Sequence, residues 1–150
     1  MADPRLRAMG IVVFRHPRMG VRCDDQGVPE IAPCVLVVDD HAAFRAAARA
    51  LLEADGFTVV GEAATGADAV AEATRLRPDV VLLDVQLPDS DGFAVARDLA
   101  LLAPVPTVVL VSSRRARTYG DRVAGAAAVG FLAKGELTGA SLRDLLGQRR

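Results

Sequence analysis

The sequence predicts an α/β fold in which a doubly wound, five-stranded parallel sheet is covered by helices on both faces. Two observations carry that expectation. From Cys34 onward, five apolar runs of strand length alternate with five segments of helical character, the order produced by parallel β-α-β crossovers. The runs are also apolar almost without interruption, as strands buried on both faces must be. No internal repeat or coiled-coil heptad competes with this reading.

Each element has its own signals. Cys34–Val38 is the first apolar run and ends in Asp39 and Asp40. His41–Ala54 follows as a helix, with Phe44, Ala47, Ala48, Leu51 and Leu52 at helical spacing and Gly56 just past its end. Thr58–Val60 is a short second strand. Thr65 is placed to cap a helix over Gly66–Leu76, whose Ala69, Val70 and Ala73 face one way, and Pro78 closes the connection. Val80–Asp84 is the third strand, hydrophobic until its last residue. After the turn Leu87–Ser90, Asp91 caps a helix running to Leu101 or Leu102. Thr107–Val111 is the fourth strand and stops at Ser112. A weaker helix within Tyr119–Ala127 leads to the fifth strand, Phe131–Ala133, and to Lys134. A last helix starts at Thr138 or Ser141 and ends near Gly147.

Residues 1–33 differ from the rest. They carry Pro4, Pro17, Pro29 and Pro33, several glycines and one short apolar run, Ile11–Phe14. That is too little apolar area to fold alone, so a flexible N-terminal extension is expected before a domain at 34–150. Pairing of Ile11–Phe14 with a sheet edge is the alternative; a natural start further along the chain would also account for the difference.

Composition narrows the classes. The 150 residues suit one domain, and 51% hydrophobic residues allow a packed core. A net charge of −1 and a pI near 6.1 leave no footprint for nucleic acid or an acidic membrane. No apolar run approaches the roughly 18 residues of a membrane span. Two cysteines, Cys23 and Cys34, give no bridge framework or metal spacing, and Cys34 is expected to be a buried thiol. The N-terminus lacks the apolar stretch of a secretory signal, and a cytoplasmic setting is the simplest expectation.

In an open α/β sheet, ligands bind at the carboxyl ends of the strands. Here those ends carry Asp39-Asp40, Asp84, Ser112 and Lys134. Clustered carboxylates resist full ionisation unless a cation joins them, and hard oxygen ligands suit Mg²⁺. With an ammonium and a hydroxyl alongside, the set suits phosphoryl transfer, where catalysis is largely positioning and charge neutralisation. Taken singly, each residue has a plainer reading: a helix-capping aspartate, a solvated lysine, a loop serine. Their order along consecutive strand ends is what is specific.

These residues resemble the receiver domain of two-component response regulators. The resemblance is carried by Val37-Val38-Asp39-Asp40, by Asp84-Val85-Gln86-Leu87-Pro88-Asp89-Ser90-Asp91-Gly92, by Val111-Ser112-Ser113 and by Gly130-Phe131-Leu132-Ala133-Lys134, and it covers about Cys34 to Gly147. It implies a flavodoxin-like sheet of order 2-1-3-4-5. It further implies that Asp84 accepts a phosphoryl group from a histidine kinase or phosphotransfer protein. Asp40, Asp84 and the backbone carbonyl of Gln86 would hold Mg²⁺, with Asp39 acting through metal-bound water. Lys134 and Ser112 would meet phosphoryl oxygens, and Phe131 would be the switch aromatic of an output face made by the fourth helix, fifth strand and fifth helix. Phe131 lacks a hydroxyl, and Gly135 stands after Lys134 where the family commonly has proline.

The resemblance implies self-catalysed phosphoryl transfer and autodephosphorylation rather than turnover of a separate substrate. Only Gly147–Arg150 follow the last helix, so a stand-alone receiver is expected, acting on a downstream protein partner without direct DNA contact. Loss of an output domain is the other explanation, and homodimerisation through the output face stays open. Two competitors remain: a phosphorylation-independent receiver-like binding module, and a small aspartate-dependent hydrolase. The hydrolase typically needs a second acid two residues after its nucleophile at the first strand, whereas Asp39 and Asp40 are adjacent and His41 follows. A nucleotide-binding protein would need a glycine-rich loop after that strand. His41 itself reads as a surface or capping residue before it reads as a catalytic one.

Overall fold

The computed structural model describes residues 21–23, 29–31, 33–114 and 118–147. Five parallel strands form one sheet: β1 (Cys34–Val38), β2 (Thr58–Ala63), β3 (Val80–Asp84), β4 (Thr107–Ser112) and β5 (Gly130–Ala133). Their spatial order is β2-β1-β3-β4-β5, the order expected from the resemblance. The helices are α1 (Ala42–Ala54), α2 (Gly66–Leu76), α3 (Gly92–Leu99), α4 (Asp121–Ala124) and α5 (Gly139–Gly147), with a 3₁₀ turn at Lys134–Glu136. The sheet reverses its direction of growth between β1 and β3, which opens a crevice at the carboxyl ends of those strands.

Alternation along the strands explains the two layers. Val35, Val37, Leu82, Val109 and Val111 pack on one side with Ala48 and Leu52 of α1 and Leu142 of α5. Leu36, Val38, Leu83 and Leu110 pack on the other with Ala69 and Ala73 of α2 and Phe93 and Ala96 of α3. Successive side chains of a strand point to opposite faces, so an unbroken apolar run supplies both cores. Cys34 is buried as expected, and burial, helped by the charge of Asp79, pushes its thiol up to about 11.

Helix caps follow the predicted residues. The Thr65 side chain accepts from the backbone N–H of Asp68, and Asp91 accepts from that of Ala94. At α5 the ambiguity between Thr138 and Ser141 resolves into a reciprocal pair: Ser141 N–H donates to Thr138 Oγ1 at 2.9 Å, and Thr138 N–H donates to Ser141 Oγ at 2.8 Å. Two bounds move. β2 continues to Ala63, past the expected end at Val60, because a register shift beside Val35 and Leu36 lets Gly61 and Glu62 stay in the ladder. Helix α3 stops at Leu99, and the residues expected as its last turn bond more tightly, Leu101 N–H to Asp98 and Leu102 N–H to Leu99.

Within the N-terminal extension, Val21–Cys23 and Pro29–Ile31 pair as a short antiparallel ladder, for which their composition carries no strand signal. The alternative edge strand, Ile11–Phe14, lies outside the described residues. Among the described residues no helix is long and apolar enough to cross a membrane.

Candidate functional site

Register delivers the site. Val38 pairs with Leu83, so Asp39 emerges beside Asp84. Asp84 pairs with Val111, and Ser112 with Ala133, which puts Ser112 and then Lys134 at the same edge. Asp39, Asp84 and Ser112 are buried, while Asp40 is exposed.

The charges are tightly coupled. Lys134 Nζ lies 2.5 Å from Asp39 Oδ2 and 3.4 Å from Asp84 Oδ2. Asp39 Oδ1 accepts the backbone N–H of His41 at 2.7 Å, and Asp84 Oδ1 accepts that of Gln86 at 3.1 Å. Burial raises the Asp84 carboxyl from its ordinary value, and the Asp39 charge adds to this. The Gln86 N–H and the Lys134 ammonium work against the rise without cancelling it. At Lys134, burial alone would lower the ammonium, but Asp39 and Asp84 outweigh it and hold the group above its ordinary value.

Carboxylate oxygens of Asp39, Asp40 and Asp84, together with a ring nitrogen of His41, lie within 4.8 Å of one another. Such a set of hard donors, richer in negative than in positive charge, could hold a divalent cation. His41 is exposed as expected. It stands at the N-cap of α1 without capping through its side chain, and Nδ1 instead lies 3.1 Å from Asp39 and 3.0 Å from Asp40.

Two predicted residues make their contacts with Tyr119. The Ser112 hydroxyl is 2.7 Å from Tyr119 Oη and accepts the N–H of Arg114 at 3.0 Å. Phe131 is half-buried, and its ring lies 5.9 Å from that of Tyr119.

Supporting contacts were not foreseen. Arg45 donates to the backbone carbonyl of Asp39 at 2.7 Å. Lys134 Nζ sits 4.6 Å above the centre of the Phe44 ring. Asp89, from the loop after β3, accepts from the N–H groups of Gly66 and Ala67 at 2.8 and 3.0 Å and so ties that loop to the start of α2. Gly92 is required by close approach: a Cβ there would lie 2.4 Å from the Asp84 carbonyl oxygen. Phe44 was visible as a helix-face residue, and a lone tyrosine after Ser112 could have been noticed. Nothing in the sequence pairs Asp89 with Gly66, because the contact spans 23 residues.

Comparison with known proteins gives a consistent picture. The family model described as "Response regulator receiver domain" matches residues 35–145. The protein-glutamate methylesterase/protein-glutamine glutaminase 6 of Anaeromyxobacter dehalogenans is 49% identical over 107 residues, 70% of this chain and 30% of that protein. Response regulator GacA of Pseudomonas aeruginosa is 38% identical over 120 residues, 77% of this chain and 56% of that protein. The chain thus spans about a third to somewhat over half of the length of such curated relatives. A CheY-like response regulator receiver domain from Methylobacillus flagellatus superimposes with a TM-score of 0.69 at 26% identity, covering 79% of this chain and 99% of that one.

Proposed function

The chain belongs to the response regulator receiver domains of two-component systems, phospho-acceptor signalling domains, and within that family we propose that Asp84 is the residue that takes the phosphoryl group. The observation that carries this is a buried carboxylate at the end of β3 that shares the Lys134 ammonium with a second buried carboxylate. An oxygen of Asp84 attacks phosphorus of a phosphohistidine on a kinase or phosphotransfer protein. The O–P bond forms as the P–N bond breaks, and the electron pair stays on the imidazole nitrogen. Burial keeps the Asp84 oxygen more basic than a solvated carboxylate. Lys134 offers its ammonium to the charge on the transferring phosphoryl oxygens.

The donor set fits Mg²⁺, since three carboxylates converge with one lysine between two of them. Asp40, Asp84 and the Gln86 carbonyl would hold the ion, with Asp39 reached through water. When bound, Mg²⁺ supplies further charge neutralisation at the phosphoryl group. Ser112 would donate to a phosphoryl oxygen after transfer, and Phe131 would respond by repacking. The output would be a protein partner at the face of α4, β5 and α5, with homodimerisation as one form of it and no direct DNA contact by these residues. A cytoplasmic setting goes with this role.

Intact-protein mass after incubation with acetyl phosphate and Mg²⁺ tests the proposal. A single adduct of about 80 Da, absent from Asp84→Asn and from an EDTA control, is expected of an aspartyl phosphate. A folded, Mg²⁺-binding chain that gains no adduct would overturn it in favour of a phosphorylation-independent binding module.

A further inference from the structure

We infer that Tyr119 is a positioning residue for Ser112: its hydroxyl holds the serine in the unphosphorylated protein and is released when Ser112 turns to a phosphoryl group on Asp84. The inference rests on the reading of Asp84 as the acceptor and adds a residue that neither the motif nor the family pattern of the fifth strand points to.

Three sets of contacts converge on it. The two hydroxyl oxygens are 2.7 Å apart, and Ser112 Oγ also accepts the Arg114 N–H at 3.0 Å. Ser112 is 1% exposed and Tyr119 is half-buried, so the bond is shielded on the serine side. The Tyr119 ring packs against two others, 5.6 Å from Phe93 of α3 and 5.9 Å from Phe131 of β5. Phe131 has no hydroxyl to offer, so the polar partner of Ser112 comes from the segment between β4 and α4.

The chemistry makes the two engagements compete. Serine has one proton to donate, and phosphoryl oxygens only accept. With Oγ held by Tyr119 and Arg114, moving that hydroxyl to the phosphoryl group gives up the bond to Tyr119, and the phenol loses a buried partner. The loss is passed on at once. The Tyr119 carbonyl accepts the N–H of Arg122 at 3.2 Å, at the start of α4. Arg122 in turn pairs with Asp91 at 2.9 Å and lies 4.4 Å above the Phe93 ring. Release of Tyr119 therefore bears on the anchor of α4.

The chain contains one tyrosine and no tryptophan, so its intrinsic emission reports on Tyr119 alone. Emission is recorded with the adduct mass as acetyl phosphate and Mg²⁺ are added. The expected result is an emission change that tracks the adduct and is absent from Asp84→Asn. Tyr119→Phe keeps the ring and removes only the hydroxyl. At limiting acetyl phosphate its ratio of phosphorylated to unphosphorylated chain should rise about three- to tenfold, as loss of one net hydrogen bond in the resting state predicts. A wild-type adduct that forms with no change in emission, and a Tyr119→Phe ratio equal to wild type, would overturn the role of Tyr119 while leaving Asp84 intact. Absence of any adduct from the wild-type chain would remove both readings. The emission change of the wild-type chain is read without Tyr119→Phe, so it stands even if that variant does not fold.

Discussion

Strands β1, β3 and β4 are buried at every residue, whereas three of the four residues of β5 are only half-buried and the helix before it, α4, is four residues long. Both regions contribute to the same edge of the sheet. The first supplies Asp39, Asp84 and Ser112 from strands that cannot shift without opening two cores at once. The second supplies Lys134, Phe131 and Tyr119 from elements with much less burial behind them. The difference teaches where each task belongs. Charges must be held close together against their own repulsion, which demands a stiff frame. A signal must move something, which demands a region of low local stability.

The strongest way to break this comparison is to remove equal volumes from each region. Leu82→Ala, in the fully buried β3, is expected to cost about 3–5 kcal/mol of unfolding free energy, and Leu132→Ala in β5 about 2. Urea denaturation of both variants decides it, and equal costs would mean that the two regions are equally stiff.

Glycines sharpen the contrast at single atoms. Gly92→Ala forces a methyl to within 2.4 Å of the Asp84 carbonyl oxygen and is expected to destabilise by about 2–3 kcal/mol while lowering the yield of phosphorylated chain. Gly135→Ala, beside Lys134, meets nothing within 4 Å and should change stability by no more than about 0.5 kcal/mol. Thermal unfolding of the pair reads both. A destabilised Gly135→Ala would show that the loop after Lys134 is under tighter control than its open surroundings suggest.

Acid separates two kinds of aspartate, one at the end of β3 and one in the loop between β3 and α3. The carboxyl of Asp89 is held below its ordinary value by the N–H groups of Gly66 and Ala67, and that of Asp91 by the N–H of Ala94 and by Arg122. Both therefore contribute stability that is present above the ordinary value of 3.8 and is lost as the pH falls through the lowered ones. Asp84 has the opposite sign: its carboxyl is raised by burial, so its effect favours folding at low pH and is lost as the pH rises through the raised value. Asp89→Asn should flatten the acid limb of a stability profile taken from about pH 5 to 2.5. An unchanged limb would assign acid sensitivity elsewhere.

The smallest effect is expected at Arg122→Ala. Its pair with Asp91 is exposed on both sides, so the loss in overall stability should stay below about 1 kcal/mol. Hydrogen exchange in 121–124 should rise all the same. Unchanged exchange there would mean that α4 is anchored by other contacts.

How much of this was legible beforehand follows from the kind of signal each feature needs. The caps at Thr65 and Asp91 were readable because a cap and its partner lie three residues apart. The ends of β2 and α3 were not, since a register shift and a tightened last turn depend on neighbouring strands and on how the next loop leaves. His41 was read as a surface or capping residue, and only the fold revealed its ring beside two carboxylates.

The sequence by itself determined the alternation of strands and helices, and the order of acid, hydroxyl and ammonium at the strand ends, because strand period and helix spacing are local and the carboxyl end of each strand is fixed by chain direction. Tertiary structure alone decided that Lys134 lies closer to Asp39 than to Asp84, that Asp89 secures α2, and that Ser112 is held by Tyr119. Those are meetings of side chains from different crossovers. Their distances depend on how the layers pack, and no spacing along the chain encodes them.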